Sequence, residues 1–174
     1  VFIESFLNEE KANKIFQALK EQEFYEKDCD LFSLNQTGDF SSIKKGVLRD
    51  FYEFFKSGEF GQWIEKISGI KLEIGKIDIS GSLYKEGNYL LCHDDELEGR
   101  KIAYSFYLSK DFEKKDGGSF VMFDSLNGGP SDEAKRYSPK WNSFLMFEVS
   151  EKSFHEVEEN MSKKERYAIG GWFH

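Results

Sequence analysis

YLLCHDDELEGRKIAYSFYLS, Tyr89–Ser109, joins two apolar, aromatic runs through a short acidic stretch. The first run stops at His93, Asp94 and Asp95, and the second resumes at Lys101. Short apolar runs with such boundaries read as strands. The connection is either an acidic hairpin loop or half of a metal site. Side chains alternate along a strand, so His93 and Asp95 are expected on one side and Asp94 on the other. An H-x-D pair at a strand end offers one imidazole and one carboxylate to a shared point. Short H-x-D matches also arise by chance, and the triplet alone reads as a surface loop with an incidental histidine.

Further strand-like segments lie on either side, at Lys71–Ile74, Ile77–Tyr84, Ser119–Asp124, Trp141–Val149, Ser153–Val157 and Tyr167–Phe173. With Tyr89–His93 and Lys101–Ser109 they make a series of short strands. Turn formers separate them at Lys85–Asn88, Asp116–Gly118, Asn127–Pro130 and Gly170–Gly171. Such a series predicts a sandwich or barrel. The first third reads differently. Asn8 is a good N-cap, with Glu9 and Glu10 in a first turn and Ala12, Ile15, Phe16 and Leu19 at helical spacing. Leu48, Phe51 and Phe55 suggest a second helix. Phe60, Trp63, Ile64 and Ile67 suggest a third, stopped by Gly69. SLNQTGDF, Ser33–Phe40, reads as a polar loop. The expectation is one domain over 1–174, mainly β, with a helical layer over about 1–69 packed on a β-core over about 70–174.

A chain of 174 residues can bury a sizeable core, and 18 phenylalanines make aromatic packing its natural content. The net charge of -8 disfavours nucleic acid, whose binding draws on Lys and Arg against phosphate, and suits a basic protein partner. No apolar run is long enough to cross a membrane, and no secretory signal pattern opens the chain. Two cysteines, Cys29 and Cys92, make no disulfide framework, so a reducing compartment, cytoplasmic or nuclear, is expected. Cys92 reads as a small core residue.

A second histidine changes the weight of the H-x-D pair. His155 lies inside another apolar strand pair, in FLMFEVSEKSFHEVEE. Two histidines and one carboxylate form the facial triad of non-haem Fe(II) oxygenases, with the remaining positions open. Such a set leaves a positive charge on an Fe(II) site, which favours an anionic chelating co-substrate and leaves room for O2. Arg166 would pair the far end of a dicarboxylate, because its planar fork matches a carboxylate. Tyr107 shares a strand face with the small residues Ala103 and Ser105, and Tyr84 with Ser80 and Ser82. Space beside a phenol suits a ligand. The competing readings are a core histidine at His155, a surface strand-end Arg166 and packed tyrosines.

The motifs LLCHDDELEGRKIAYSFYL, DGGSFVMFD, PKWNSFLMFEVSEKSFHEV and the closing GGWFH, in this order, carry a resemblance over nearly the whole chain. SLNQTGDF adds to it. The chain resembles the catalytic domain of the eukaryotic 2-oxoglutarate- and Fe(II)-dependent prolyl hydroxylases that modify a small-subunit ribosomal protein near the decoding centre. More distantly, EGRKIAYSFYLSKDF resembles the matching strand of the oxygen-sensing prolyl hydroxylases. The resemblance implies a double-stranded β-helix, a cupin-like jelly-roll with helices outside. It implies His93, Asp95 and His155 as catalytic iron ligands, Arg166 and Tyr107 at the far carboxylate of 2-oxoglutarate, and Tyr84 at the pocket. It implies a dioxygenase using Fe(II), 2-oxoglutarate and O2, with ascorbate as reductant, that hydroxylates a proline of a basic ribosomal protein.

Two departures follow from the same comparison. Ala168 stands where the family usually has a serine that helps hold the carboxylate, and losing one hydrogen bond to a charged group costs about 1.5–3 kcal/mol. The family's usual second, C-terminal jelly-roll is expected to be absent, since the chain stops where the first domain ends. The alternatives are an oxygen-sensing prolyl 4-hydroxylase of a regulatory protein, a non-catalytic jelly-roll binding domain, and a cupin-like metal protein without 2-oxoglutarate. Ala168 favours the second, and Arg166 and Tyr107 argue against the third.

Overall fold

Three helices form where the apolar spacing predicts them. The computed structural model describes every residue from Val1 to His174. A short strand, β1 (Phe2–Ile3), precedes α1 (Glu9–Lys20). The Asn8 side chain caps α1 by accepting from Lys11 N at 2.8 Å, and Glu9 and Glu10 fill its first turn. α2 (Val47–Lys56) buries Leu48, Phe51, Tyr52 and Phe55. α3 (Gly58–Ser68) is capped by Ser57 and closes at Gly69, whose N–H bonds Glu65 O.

The first third also contains strands, which corrects its reading as a purely helical layer. β2 (Tyr25–Cys29) and β3 (Phe32–Gln36) form a hairpin. Ser33–Gln36 of the expected loop is therefore strand, and β3 bridges the sheet by pairing β4 (Ile77–Tyr84) and β5 (Tyr89–His93). Its polar side chains hid it, because its place is fixed by backbone pairing on both sides. The expected strand Lys71–Ile74 is irregular instead. The end of β11 (Arg166–Phe173), near which it lies, already pairs β4 on one side and β6 (Ile102–Tyr107) on the other. No free edge remains there, and Glu73 N merely bonds the terminal His174 O.

The remaining strands are β7 (Phe120–Leu126), β8 (Gly129–Tyr137), β9 (Ser143–Glu148) and β10 (His155–Val157). β8 went unread because GPSDEAKRY is mostly exposed and starts beside a proline; it is an edge strand paired only with β7. All pairings are antiparallel, in the order β1-β9-β6-β11-β4-β3-β5-β10-β7-β8. The sheet curls on itself as a jelly-roll and has two distinct faces.

The outer face meets the helices. Ile79 and Leu83 of β4, Tyr104 and Phe106 of β6, Phe144 of β9 and Ile169 of β11 pack with Phe51, Phe55, Phe60 and Ile64. Each such fully buried side chain stabilises by roughly 1.5–3 kcal/mol. Gly81 lets α1 approach, because a Cβ there would lie 2.5 Å from Leu19 Cδ1. The inner face carries Tyr84, Tyr107, Ala168 and Val157. Cys92 is only partly buried, not a core residue.

Candidate active site

β5 and β10 pair so that His93 lies directly opposite His155. Their rings are 4.2 Å apart between centroids. Each ring is held through Nδ1 by a carbonyl two residues back: Leu91 O at 2.8 Å for His93 and Ser153 O at 2.7 Å for His155. With Nδ1–H donating to a carbonyl, Nε2 is the ring atom left for Asp95: it donates an N–H to the carboxylate when the ring is protonated and presents a lone pair when the ring is neutral. Both Nε2 atoms face Asp95, at 3.2 Å from Oδ1 for His93 and 3.5 Å from Oδ2 for His155. The three possible ligand atoms lie within 4.8 Å of one another.

Asp95 reaches this point differently from the strand expectation. β5 ends at His93, and Asp95 adopts φ 63, in the left-handed region that Asp tolerates better than most residues. Strand alternation predicted the right side of the chain for the wrong reason. Burial opposes the Asp95 charge, yet the hydrogen bonds from His155 and His93 hold its carboxyl well below the usual carboxylate range. Burial alone would lower His93; its bonds to Asp95 and Leu91 O outweigh that and raise it. Phe120 stacks on the His155 ring at 5.0 Å and Phe147 meets its edge at 4.7 Å, which fixes the imidazole and excludes water.

A cavity of about 530 Å³ runs inward from these residues between the curled layers. Its inner end is Arg166, 2% exposed on β11. Arg166 Nε donates to Gly118 O at 2.7 Å, and no carboxylate of the chain pairs with the guanidinium. Gly118 has φ 66, and a Cβ there would lie 3.1 Å from Arg166 Cδ, so glycine lets the loop close on the arginine. Tyr84 lies opposite Arg166 across the β4–β11 ladder, with its ring 4.9 Å from Cζ, and the Tyr107 ring is 5.2 Å away. Burial pushes both phenols up to about 12 against the pull of the Arg166 cation, so both stay protonated donors. The Tyr107 hydroxyl is buried without a partner.

Ala168 sits between Tyr107 on β6 and Ser82 on β4, so hydroxyl-bearing residues of both neighbouring strands flank it. Between Arg166 and Trp172 the inner face of β11 carries only Ala168 and Gly170, small residues that leave room. The third histidine, His174, lies elsewhere and bonds Asp78 Oδ2 at 3.1 Å.

The six residues singled out in the sequence thus fall into two groups: five of them line one cavity, and Tyr107 is buried beside Arg166. His93, Asp95 and His155 gather at one end, and Arg166, Tyr84 and Tyr107 at the other. Three further residues were missed. Ser153 donates to Asp94 O at 2.7 Å and, through its own carbonyl, orients His155. Trp172 and Arg100 close on Asp95. Trp172 was legible, because it shares the alternating face of Arg166, Ala168 and Gly170. Arg100 was not, because it lies in a loop.

Two imidazole nitrogens and one carboxylate oxygen suit a divalent first-row metal with open positions. A buried cation lacking an anion, beside an unpartnered phenol, suits the far carboxylate of a dicarboxylate. The 2OG-Fe(II) oxygenase superfamily is matched by residues 79–174, more than half of the chain, and the chain belongs to that superfamily. Its members use Fe(II), 2-oxoglutarate and O2.

Among curated proteins, the chain is 37% identical over 169 residues to prolyl 3-hydroxylase OGFOD1 of Xenopus laevis, covering 96% of this chain and 33% of that protein. It is 34% identical over 195 residues to prolyl 3,4-dihydroxylase OGFOD1 of Ostreococcus tauri, covering 100% and 36%. The chain spans about a third of the length of the curated relatives it matches. A Pseudomonas putida prolyl-4-hydroxylase shares the fold at TM-score 0.81 and 18% identity, covering 100% of this chain and 91% of that one. A Trichoplax adhaerens prolyl hydroxylase, solved with a hypoxia-inducible-factor peptide, does so at TM-score 0.75 and 16% identity, covering 99% and 82%.

Proposed function

We propose that this chain hydroxylates a prolyl residue of a protein, using Fe(II), 2-oxoglutarate and O2, with His93, Asp95 and His155 as the iron ligands. The carrying observation is Arg166: a buried guanidinium without a carboxylate, at the inner end of the cavity that the triad faces. Iron and 2-oxoglutarate together supply the oxygen activation that hydroxylates a C–H bond, with succinate and carbon dioxide as co-products.

The chain's own residues have definable tasks. Arg166 holds the far carboxylate of the co-substrate by paired N–H donors, and Tyr107 and Tyr84 add neutral phenol donors. Leu91 O and Ser153 O fix the two histidine tautomers, so Nε2 is available at each. Phe120 and Phe147 keep water from the His155 side.

The relatives' names support proline as the target and the 3-position of its ring as the main site. The sequence resemblance supports a small-subunit decoding-centre ribosomal protein, which would place the activity in the cytoplasm, the nucleus or both. The net charge of -8 suits such a basic substrate.

The test is direct. The purified chain is incubated with Fe(II), ascorbate, 2-oxoglutarate and a proline-containing peptide from that ribosomal protein, with a control lacking 2-oxoglutarate. The expected result is one added oxygen, placed on the proline by fragmentation. Succinate without peptide modification would keep the oxygenase and reject the substrate. Neither product, in protein shown to hold iron, would reject the enzyme.

A further inference from the structure

Trp172 and Arg100 belong neither to the proposed ligand set nor to the Arg166 end of the cavity, yet both converge on Asp95. The Trp172 indole N–H donates to Asp95 Oδ2 at 3.0 Å. The Arg100 guanidinium lies over the indole, its Cζ 3.4 Å from the ring centroid. Arg100 Nη1 is 3.7 Å from Asp95 Oδ1 and donates a long, 3.5 Å bond to Asp95 O. The stack therefore stands beside the carboxylate and touches its backbone.

Asp95 needs such support. It lies past the end of β5, in a left-handed conformation, so no ladder hydrogen bond fixes its direction. The histidines differ, since each is seated on a strand and tied by Nδ1 to a carbonyl. The aim of the carboxylate is set by side chains alone. The indole is the only neutral donor among them, and it occupies one oxygen while leaving the negative charge undiminished.

We propose that Trp172, braced by Arg100, is the positioning residue for Asp95. By holding Oδ2, the indole presents Oδ1 as the single oxygen offered to a divalent cation. A carboxylate with both oxygens free can also chelate through both, which occupies a coordination position. The N–H on Oδ2 would disfavour this by competing for that oxygen, and so would help to leave the position open. The inference rests on the reading of Asp95 as a ligand.

Trp172→Phe removes the N–H and keeps a ring for Arg100. Metal-free wild type and variant are titrated with Co(II) under anaerobic conditions without 2-oxoglutarate, following the visible ligand-field absorption. The variant is expected to bind Co(II) about tenfold more weakly, as when a partner of a ligating group is lost, with a changed absorption envelope. Its metal-free melting midpoint stays within about 3 °C of wild type, under roughly 1 kcal/mol for a chain of this size. Wild-type affinity with an unchanged spectrum overturns the proposal. If Trp172→Phe does not fold, Arg100→Ala carries the test, with an expected weakening of about threefold from the lost stack; unchanged affinity there overturns it. Asp95→Ala run in parallel separates the two readings. If that variant keeps wild-type Co(II) affinity, the ligand assignment itself fails. If it loses Co(II) while Trp172→Phe does not, only the positioning role fails.

Discussion

The outward face of β11 places Tyr167, Ile169 and Phe173 in a helix-backed core of 21 buried residues. Its inward face, one residue out of step, places Arg166, Gly170 and Trp172 along the cavity. The outward face consists of apolar bodies against apolar bodies. The inward face leaves a buried cation without an anion, beside the unpartnered Tyr107 phenol of the neighbouring β6. An unsatisfied buried polar group costs about 1–3 kcal/mol, and an uncompensated charge more. Nothing in folding favours that arrangement, whereas an anionic ligand resolves it. One strand therefore divides its labour by parity: one face stabilises, and the other lines the candidate site.

The division can be broken by substitution. His155→Ala or Asp95→Ala should lower turnover by about a thousandfold or more, several kcal/mol of barrier, with little change in the metal-free melting midpoint. Substantial turnover in either purified variant would remove it from the site. Phe55→Ala, on the helix-backed side, should do the reverse. It should cost about 3–5 kcal/mol of stability in urea unfolding, and any loss of activity should track the unfolded fraction. Activity lost with stability intact would show that the two faces are not separable.

Smaller effects sharpen the same contrast. Arg166→Ala should weaken 2-oxoglutarate binding by about a hundredfold, the scale of lost hydrogen bonds to a charged group. Without ligand the variant should melt no lower than wild type, since an unpaired buried charge has gone. Calorimetric titration and a thermal melt check the two halves. Tyr107→Phe should weaken co-substrate binding by about tenfold or less and leave the ligand-free protein as stable or more so. The smallest expected effect is one of pH. The Tyr84 and Tyr107 phenols are pushed up to about 12 by burial. Their donor protons are lost only as pH rises through that value, so co-substrate affinity should show no phenol step between pH 8 and 10. A step near 10, the ordinary tyrosine value, would place both hydroxyls in water.

Much of this was legible locally. Apolar spacing placed α1, α2 and α3, and Asn8 and Gly69 marked a start and a stop. Alternation put Tyr107 with Ala103 and Ser105, and Tyr84 with Ser80 and Ser82, on the inner face. It would also have put Trp172 with Arg166. Other elements were hidden for a physical reason. β3 carries Ser33, Asn35 and Gln36, and its strand character comes from backbone bonds to neighbours remote in sequence. β8 is a solvated edge whose pattern reports water. Asp95 left the strand before it reached the site, so alternation did not govern it.

By itself, then, the sequence determined the candidate ligand types, the helix starts and stops and the parity of β4, β6 and β11, since each depends on residues a few positions apart. Only the tertiary structure decided which distant positions meet. The β5–β10 register sets His93 against His155, and the β4–β11 register sets Tyr84 against Arg166. A slip of one residue in either ladder would reverse every side chain between core and cavity. The register is held by the burial of whole faces, which no short stretch of sequence contains.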